Sequence, residues 1–532
     1  MKWKVAPKKS DDLVEQLLLN RGIKTEKQKE QFFNPKIPDY ENELKIPDIK
    51  KAQKRISTAI KKGELIIIYG DFDADGICAS AILYKGLVSL GAKVLPYIPH
   101  REKEGYGLSK VGLEYAKGKD ASLVITVDNG IVAIEQAKFA KSLGLDLIIT
   151  DHHIPSEERP DAYTIVHSTK MCGAAVAWCL IKPLIKKELT REFLQFVAIA
   201  EVCDLMPILG LGRAFVFEGL QILNRTKNPG LLALIKESGL LLGEIGSYEV
   251  GFIIGPRLNA MGRLEHAIDS LRLLCTKDSA KAKKLAKLLC DTNIARQKMT
   301  MDALEQAKLL INEQNKIHVL ASKEWSAGII GLVAGRLADE FYRPAIAISQ
   351  GVEVSKGSAR SIDGINIVEI IRQYSDILID VGGHPGAAGF SLLSRHVEVF
   401  QKKLEKHNIV LPEEEKVLMI DAEVNAKQLT KNLVYELSKF EPFGIDNKKP
   451  IFATKNMQVS DTRTVGNGKH LKFKVIDPER SEGPIDAIAF GMGQLVNQFK
   501  SDQIIDLAYN LELDTYNGND KLQLKVKDIK LG

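Results

Sequence analysis

No apolar run in this sequence is long enough to cross a membrane. Runs such as 65–69 and 147–150 are strand-sized, against roughly 18 residues for a spanning helix. Cysteine is scarce and scattered: the six residues Cys78, Cys172, Cys179, Cys203, Cys275 and Cys290 contain no Cys-x-x-Cys pair. That excludes a disulfide scaffold and a cysteine-based zinc knuckle, and it points to a reducing cytoplasm. No apolar stretch follows the N-terminal Met1-Lys2-Trp3-Lys4, so no secretory signal is expected. Internal repeats and low-complexity tracts are missing as well. Charge of one sign is also lacking, since 74 Lys+Arg face 68 Asp+Glu. The net of +6 over 532 residues is too dilute to name a nucleic-acid partner. What remains is ordinary globular usage, 45% hydrophobic and 27% charged, with length for several domains.

Hydropathy patterning divides the chain into five segments. Residues 1–49 are polar and broken by Pro35, Pro38 and Pro47, which predicts an arm with short helices. Within 50–275, strand-like runs at 65–69, 122–127 and 147–150 alternate with helix-like 76–90 and 132–143. This spacing predicts an α/β domain whose parallel sheet is covered on both faces. In such sheets ligands bind beyond the carboxyl ends of the strands. Residues 276–315 keep helical spacing without a proline or glycine, predicting a linking helix on the order of 50 Å long. A smaller α/β unit follows over 316–411, with strands at 317–321 and 345–349, a helix at 328–341 and a glycine-rich run at 382–389. From 412 to 532 the signals change to short strands at 417–422, 451–459, 471–476, 485–490, 504–512 and 522–529. Turns at Asn467-Gly468 and Asn517-Gly518 fit hairpins, and a small β-barrel is expected. The barrel segment carries 17 Lys+Arg against 19 Asp+Glu, a net of −2. Within it Lys469, His470, Lys472 and Lys474 form a basic strand beside Phe473.

Chemistry gathers where the sheet rule places it. The first strand runs into Asp71-Phe72-Asp73-Ala74-Asp75-Gly76, the second into Asp128-Asn129-Gly130 and the third into Asp151-His152-His153. A calcium loop of the EF-hand type is excluded, because position 12 is Ile82 and a strand, not a helix, precedes the loop. Carboxylates crowded into a cleft repel one another, and a cation relieves that repulsion. Oxygen ligands with one or two imidazoles suit Mn²⁺ or Mg²⁺ better than zinc. Asp204, after an apolar helix at 193–200, can close the site, and this many ligands suffices for two ions. Arg257 and Arg263 flank Asn259 in what reads as a glycine-flanked loop, suited to phosphate oxygens. Ser358 and Arg360 repeat that logic, and the 382–389 glycines can offer N–H groups to an anion.

In order, Asp73-Ala74-Asp75-Gly76, Asp128-Asn129-Gly130, Asp151-His152-His153 and Asp204 resemble the four motifs of the DHH phosphoesterase superfamily. Further motifs narrow the resemblance to the RecJ family of bacterial single-strand-specific 5′→3′ DNA exonucleases, over about residues 50 to 532. They are His100-Arg101 before Glu104-Gly105-Tyr106-Gly107, Gly255-Pro256-Arg257-Leu258-Asn259-Ala260-Met261-Gly262-Arg263, Lys356-Gly357-Ser358-Ala359-Arg360-Ser361, Gly382-Gly383-His384 and Pro442-Phe443-Gly444. The sequence departs from the family pattern at Cys203, usually a smaller residue, and at His167-Ser168, usually Asn-Pro.

The resemblance implies a DHH catalytic domain, a DHH-associated domain and a C-terminal OB-fold. It implies hydrolysis of single-stranded DNA in recombination and repair, with two divalent ions, Mn²⁺ or Mg²⁺. Asp73, Asp75, Asp128, His152 and Asp204 are then the metal ligands, with Asp128 bridging. Asp71 is a further ligand or supports the others, and His153 orients or stabilises the phosphoryl group. Arg101, Tyr106, Arg257, Asn259, Arg263, Ser358, Arg360, Gly383 and His384 contact the strand, Arg101 and the second cluster holding its 5′ phosphate. A cytoplasmic monomer working with single-strand-binding protein and a repair helicase is expected. Two other readings remain: an inactive DNA-binding scaffold, and a phosphodiesterase for short oligonucleotides or cyclic dinucleotides. The full acid set opposes the first and the added barrel opposes the second.

Overall fold

The computed structural model describes residues 1–412, 416–477, 483–499, 502–514 and 520–531. The chain forms two compact units, one of residues 40–206 and 215–413, the other of 1–39, 207–214 and 414–532.

In the first unit, aliphatic runs such as Leu-Ile-Ile-Ile-Tyr at Leu65–Tyr69 are buried almost end to end, as strands covered on both faces require. Five parallel strands stand in the order Lys93–Tyr97, Leu65–Tyr69, Ala121–Val127, Asp146–Asp151, Thr164–His167. Helices lead on to Ser279–Leu309, an unbroken helix of 31 residues started by Asp278, whose side chain accepts two backbone N–H groups. It packs on helices Pro229–Glu237 and Gly255–Leu264 and, further along, on Ile330–Phe341. Ile330–Phe341 packs against a second, mixed five-stranded sheet, ordered Leu378–His384, Ala387–Leu393, Val354–Arg360, Ala345–Ser349, His318–Ser322.

One loop expectation gives way here, and the glycine-rich run takes a definite form. Residues 255–263 are not a loop but most of helix Gly255–Leu264, entered through a π-turn at Val250–Ile254. Pro256 in the first turn, where no N–H is needed, starts the helix. Its glycines serve close packing against protein: a Cβ on Gly255 would stand 2.3 Å from Cys203 Sγ, and one on Gly262 2.4 Å from the Phe72 carbonyl. The 382–389 run is a β-hairpin, with Gly382 paired to Gly389 and Gly383 to Ala388, so ladder pairing competes with anions for its N–H groups.

The second unit is a barrel. Strands Phe452–Val465, His470–Ile476, Ile485–Ala489, Lys521–Leu531 and Ile504–Asp514 follow one another, and the last closes onto the first. Asn467 and Gly468 take positive φ of 54° and 80° in the first hairpin, whereas the Asn517-Gly518 turn lies outside the described residues. The strand expected at 417–422 splits. Val417–Ile420 pairs instead with the N-terminal strand Lys2–Val5, and only Ala422–Glu423 joins the barrel. Phe473 faces the core at 1% exposure, which removes it as a stacking surface; the exposed aromatic of that region is Phe490, beside His470.

The 1–49 arm is short-helical, as its prolines suggest, but residues 1–39 are built into the barrel unit. Leu17, Leu18 and Phe32 share one buried cluster with Phe440 and Phe452. Arg213, 1% exposed, donates to the carbonyls of Phe32, Phe440, Glu441 and Pro442. Deleting 412–532 alone therefore strips both covers. It is expected to cost on the order of 3 kcal/mol or more through Arg213 alone, seen as a lower melting temperature and a rise in fluorescence from an apolar-surface dye.

Candidate metal centre

Three strands of the first sheet stop at one edge, and each hands polar residues across it. Leu65–Tyr69 leads through Gly70 to Asp71 and Asp73. Asp73 caps helix Ala74–Ser89, accepting the Gly76 N–H at 3.0 Å, and this sets Asp75 in the first turn, where the helix dipole favours an acid. Asp75 in turn accepts the Gly173 and Ala174 N–H groups, at 2.6 and 2.7 Å, from the start of helix Gly173–Ile181. Ala121–Val127 delivers Asp128, held at a left-handed φ of 62°. Gly173 must be glycine, since a Cβ there would lie 2.9 Å from Asp128 Oδ1. Asp146–Asp151 runs into His152 and His153, and Asp204 arrives as the C-cap of Leu194–Cys203.

His152 is the hub. Its Nε2 lies 3.1 Å from Asp128, 3.4 Å from Asp204 and 3.6 Å from Asp75. Ligand-capable atoms within each of three trios approach to 4.8 Å: Asp128, His152 and His153; Asp75, His152 and Asp204; Asp71, Asp73 and Asp128. The structure thus brings together every residue the sequence nominates for metal, with Asp128 and His152 each shared by two trios.

The electrostatics are those of a crowded, dry acid cluster. Burial, then the charge of Asp73, pushes Asp75 up to about 7. Burial, then Asp75 and Asp73, pushes Asp204 up to about 8. Burial first and neighbouring aspartates second hold Asp71 and Asp128 well above the usual carboxylate range. Burial also brings His152 down to about 4, leaving the neutral imidazole that a metal needs. Asp71 Oδ1, Asp128 Oδ1 and His152 Nε2 are buried without a hydrogen-bond partner. Buried acceptors left unpaired call for an explanation, and a hard divalent ion of the Mn²⁺ or Mg²⁺ type fits this oxygen-rich set.

His153 is prepared differently. Burial opposes its charge, but the 2.8 Å contact to Asp151 outweighs that and raises the imidazole to about 9. Asp151 also accepts the N–H groups of Ile131, His152 and His153, so its acidity wins over its burial. Sequence reasoning gave Asp151 no role of its own, although a carboxylate two residues before a strand-end histidine was the available signal. The Tyr106 hydroxyl lies 3.2 Å from His153 Nδ1, and His167, at the departure from the family pattern, donates to the His153 carbonyl at 2.7 Å.

Guanidinium groups line the neighbouring surface. Arg101 lies over the Phe72 ring, 4.0 Å from its centre, with Nε buried and unpaired. Burial, then repulsion from Arg101, Arg296 and Arg360, lowers Arg263 to about 10. Arg360 donates to Ser358 Oγ at 3.1 Å. Arg257 is more committed, donating to Ile253 O and Cys290 Sγ. Asn259 holds the metal loop itself: its side-chain oxygen accepts the Ala74 N–H at 2.7 Å. Arg296, from the long helix, carries a charge near Arg263 and Arg257, and Arg336 one near Arg296, which the sequence did not single out. Both stand on helices, where an isolated arginine reads as a solvated face, yet Arg296 is destabilised by burial and then by Arg336 and Arg257.

A strand-edge cluster of this composition on a parallel α/β sheet, followed by a second α/β unit, defines a DHH-type phosphoesterase. The DHH family N-terminal domain matches residues 65–200, the DHHA1 domain 314–407 and the RecJ OB domain 420–528. The chain belongs to the RecJ family of single-stranded-DNA-specific exonucleases. It is 37% identical to the Bacillus subtilis member over 97% of this chain and 67% of that one. It is 30% identical to the Haemophilus influenzae member over 92% of each. It superposes on RecJ of Thermus thermophilus in complex with Mn²⁺ with a TM-score of 0.86 and 27% identity, covering 100% of this chain and 80% of that one. Among the described residues no helix is long and apolar enough to cross a membrane.

Proposed function

We propose that this chain removes nucleotides from the 5′ end of single-stranded DNA, using Mn²⁺ or Mg²⁺ held by Asp73, Asp75, Asp128, His152 and Asp204, with Asp71 supporting them. The observation that carries this reading is the set of buried, unpartnered ligand atoms on Asp71, Asp128 and His152. Bound divalent ions supply charge neutralisation and an activated water for phosphodiester hydrolysis. The chain's own residues do the rest. Asp151 keeps His153 oriented and protonated, so an N–H faces charge developing on the phosphoryl oxygens. Arg101, Ser358 and Arg360 hold the 5′ phosphate, Arg257, Arg263 and Tyr106 the adjoining backbone, and Gly383 and His384 border the entry. On this reading 50–275 catalyses, 276–315 spaces, 316–411 grips the end, and the 412–532 barrel with its N-terminal arm holds the trailing strand. A cytoplasmic monomer supplied with single strands by a helicase and a single-strand-binding protein fits that division.

The test is a Mn²⁺-dependent assay on 5′- and 3′-labelled single strands, duplexes and cyclic dinucleotides. Release of label from the 5′ end of single strands is expected; turnover of cyclic dinucleotides alone, or strand binding with no cleavage, would overturn the reading. Arg360→Ala is expected to raise KM about 10- to 100-fold on 5′-phosphorylated strands, the loss of one charge-assisted contact, with a smaller change on 5′-hydroxyl strands. Equal effects on both substrates would place the phosphate elsewhere.

A further inference from the structure

Behind the centre lies a buried acid that the chemistry above does not use. Glu201 is fully buried on helix Leu194–Cys203, one turn before Asp204. Its Oε1 accepts the Cys172 N–H at 3.0 Å, while Oε2 has no hydrogen-bond partner. Cys172 immediately precedes Gly173 and Ala174, whose N–H groups are taken by the two oxygens of Asp75. Three consecutive N–H groups at the start of helix Gly173–Ile181 are thus divided between two carboxylates carried by two other helices.

The consequence is mechanical. Asp75 is fixed to this helix start directly. Asp204 is fixed to it only through its own helix, and Glu201 is the side chain that ties that helix down. The spacing between Asp75 and Asp204, which share a trio with His152, therefore runs through the Glu201–Cys172 hydrogen bond. Loss of the bond leaves the buried Cys172 N–H unpaired and removes the polar tie between the two helix ends.

We propose that Glu201 is a positioning residue that sets the Asp75–Asp204 separation, and with it the affinity for the divalent ion. The proposal rests on the reading of Asp75 and Asp204 as ligands. Hydrogen-bonded supports of metal ligands are typically worth about 10- to 100-fold in affinity.

Two kinds of replacement separate the hydrogen bond from bulk. Glu201→Gln keeps an acceptor for Cys172, whereas Glu201→Met and Glu201→Leu fill the space without one. Mn²⁺ affinity is measured directly by titration calorimetry or by the free-Mn²⁺ resonance signal, and single-strand affinity is measured in EDTA. The methionine and leucine proteins are expected to bind Mn²⁺ at least about tenfold more weakly, the glutamine protein to stay close to wild type, and strand affinity to hold in all three. Wild-type Mn²⁺ affinity in the folded methionine or leucine protein overturns the proposal, as does a tenfold loss in the glutamine protein. Asp75→Asn and Asp204→Asn run alongside: undiminished Mn²⁺ binding in both sinks the ligand reading itself, while their loss with intact binding in Glu201→Met sinks only the positioning role.

Discussion

Replacing Asp128 with alanine is expected to lower kcat on single-stranded DNA more than a thousandfold, equivalent to about 4 kcal/mol of barrier, with strand affinity in EDTA retained. Asp128 stands in two of the three trios of ligand atoms and is the residue they share. Its left-handed backbone and the close approach of Gly173 fix the carboxylate in one place, so a neighbour cannot substitute for it by a rotamer change. Single-turnover cleavage of a 5′-labelled strand by the folded variant decides the matter. Cleavage at the wild-type rate would remove Asp128 from the centre. Asp75→Ala tests the same cluster less cleanly, because Asp75 also holds a helix start and its loss is expected to lower the melting temperature as well.

The second large effect is on pH. Without metal, burial and like charges hold Asp75 up to about 7 and Asp204 up to about 8, so both carry protons at pH 6. A divalent ion binds the deprotonated carboxylates and must displace those protons. Mn²⁺ affinity is therefore expected to rise with pH, by about tenfold per unit for each proton released, and to level off above about pH 8. The sign for stability follows from the same shifts. A carboxylate whose folded value is raised stabilises the fold while protonated and loses that contribution as pH climbs from its unfolded value through the folded one. The metal-free protein is thus expected to lose melting temperature between pH 4 and pH 8, and Mn²⁺ to raise it more at pH 8 than at pH 6. Calorimetry in buffers of different ionisation enthalpy counts the protons; no proton release at pH 6.5 would contradict the assignment of these two acids.

The centre was legible in the sequence because parallel strands must be buried and their ends must meet at one edge. Three aliphatic runs ending in Asp71, Asp128 and Asp151 therefore announce a shared site in the sequence itself. The barrel was legible for a similar reason, since alternation and turn residues are local signals. Arg257 and Arg263 were misread as loop residues because glycine and proline together mark both loops and helix starts, and only the packing of Gly255 on Cys203 separates the two. Asn259 followed the same error, so its bond to Ala74 could not be foreseen. Arg296 meets its charged neighbours Arg257 and Arg336 from distant parts of the chain, which no local pattern encodes. The pairing of Lys2–Val5 with Val417–Ile420 is the extreme case, since neither strand alone carries a mark of its partner.

That pairing has a bearing on biogenesis. Asn20 donates to the Asp421 carbonyl across 401 residues of chain, and Trp3 to Asp528 across 525. At about 5–20 residues per second of synthesis, the arm waits on the order of 20–80 s after leaving the ribosome before its partners emerge. During that interval Leu17, Leu18 and Phe32 lack the core they are built for. The sheet that carries the acid cluster is complete in sequence by His167, so it can fold while the arm is still unpaired. A nascent chain would thus own its cutting centre well before it owns the barrel, and the arm is the segment most exposed to chaperones, proteases and N-terminal tags on the way.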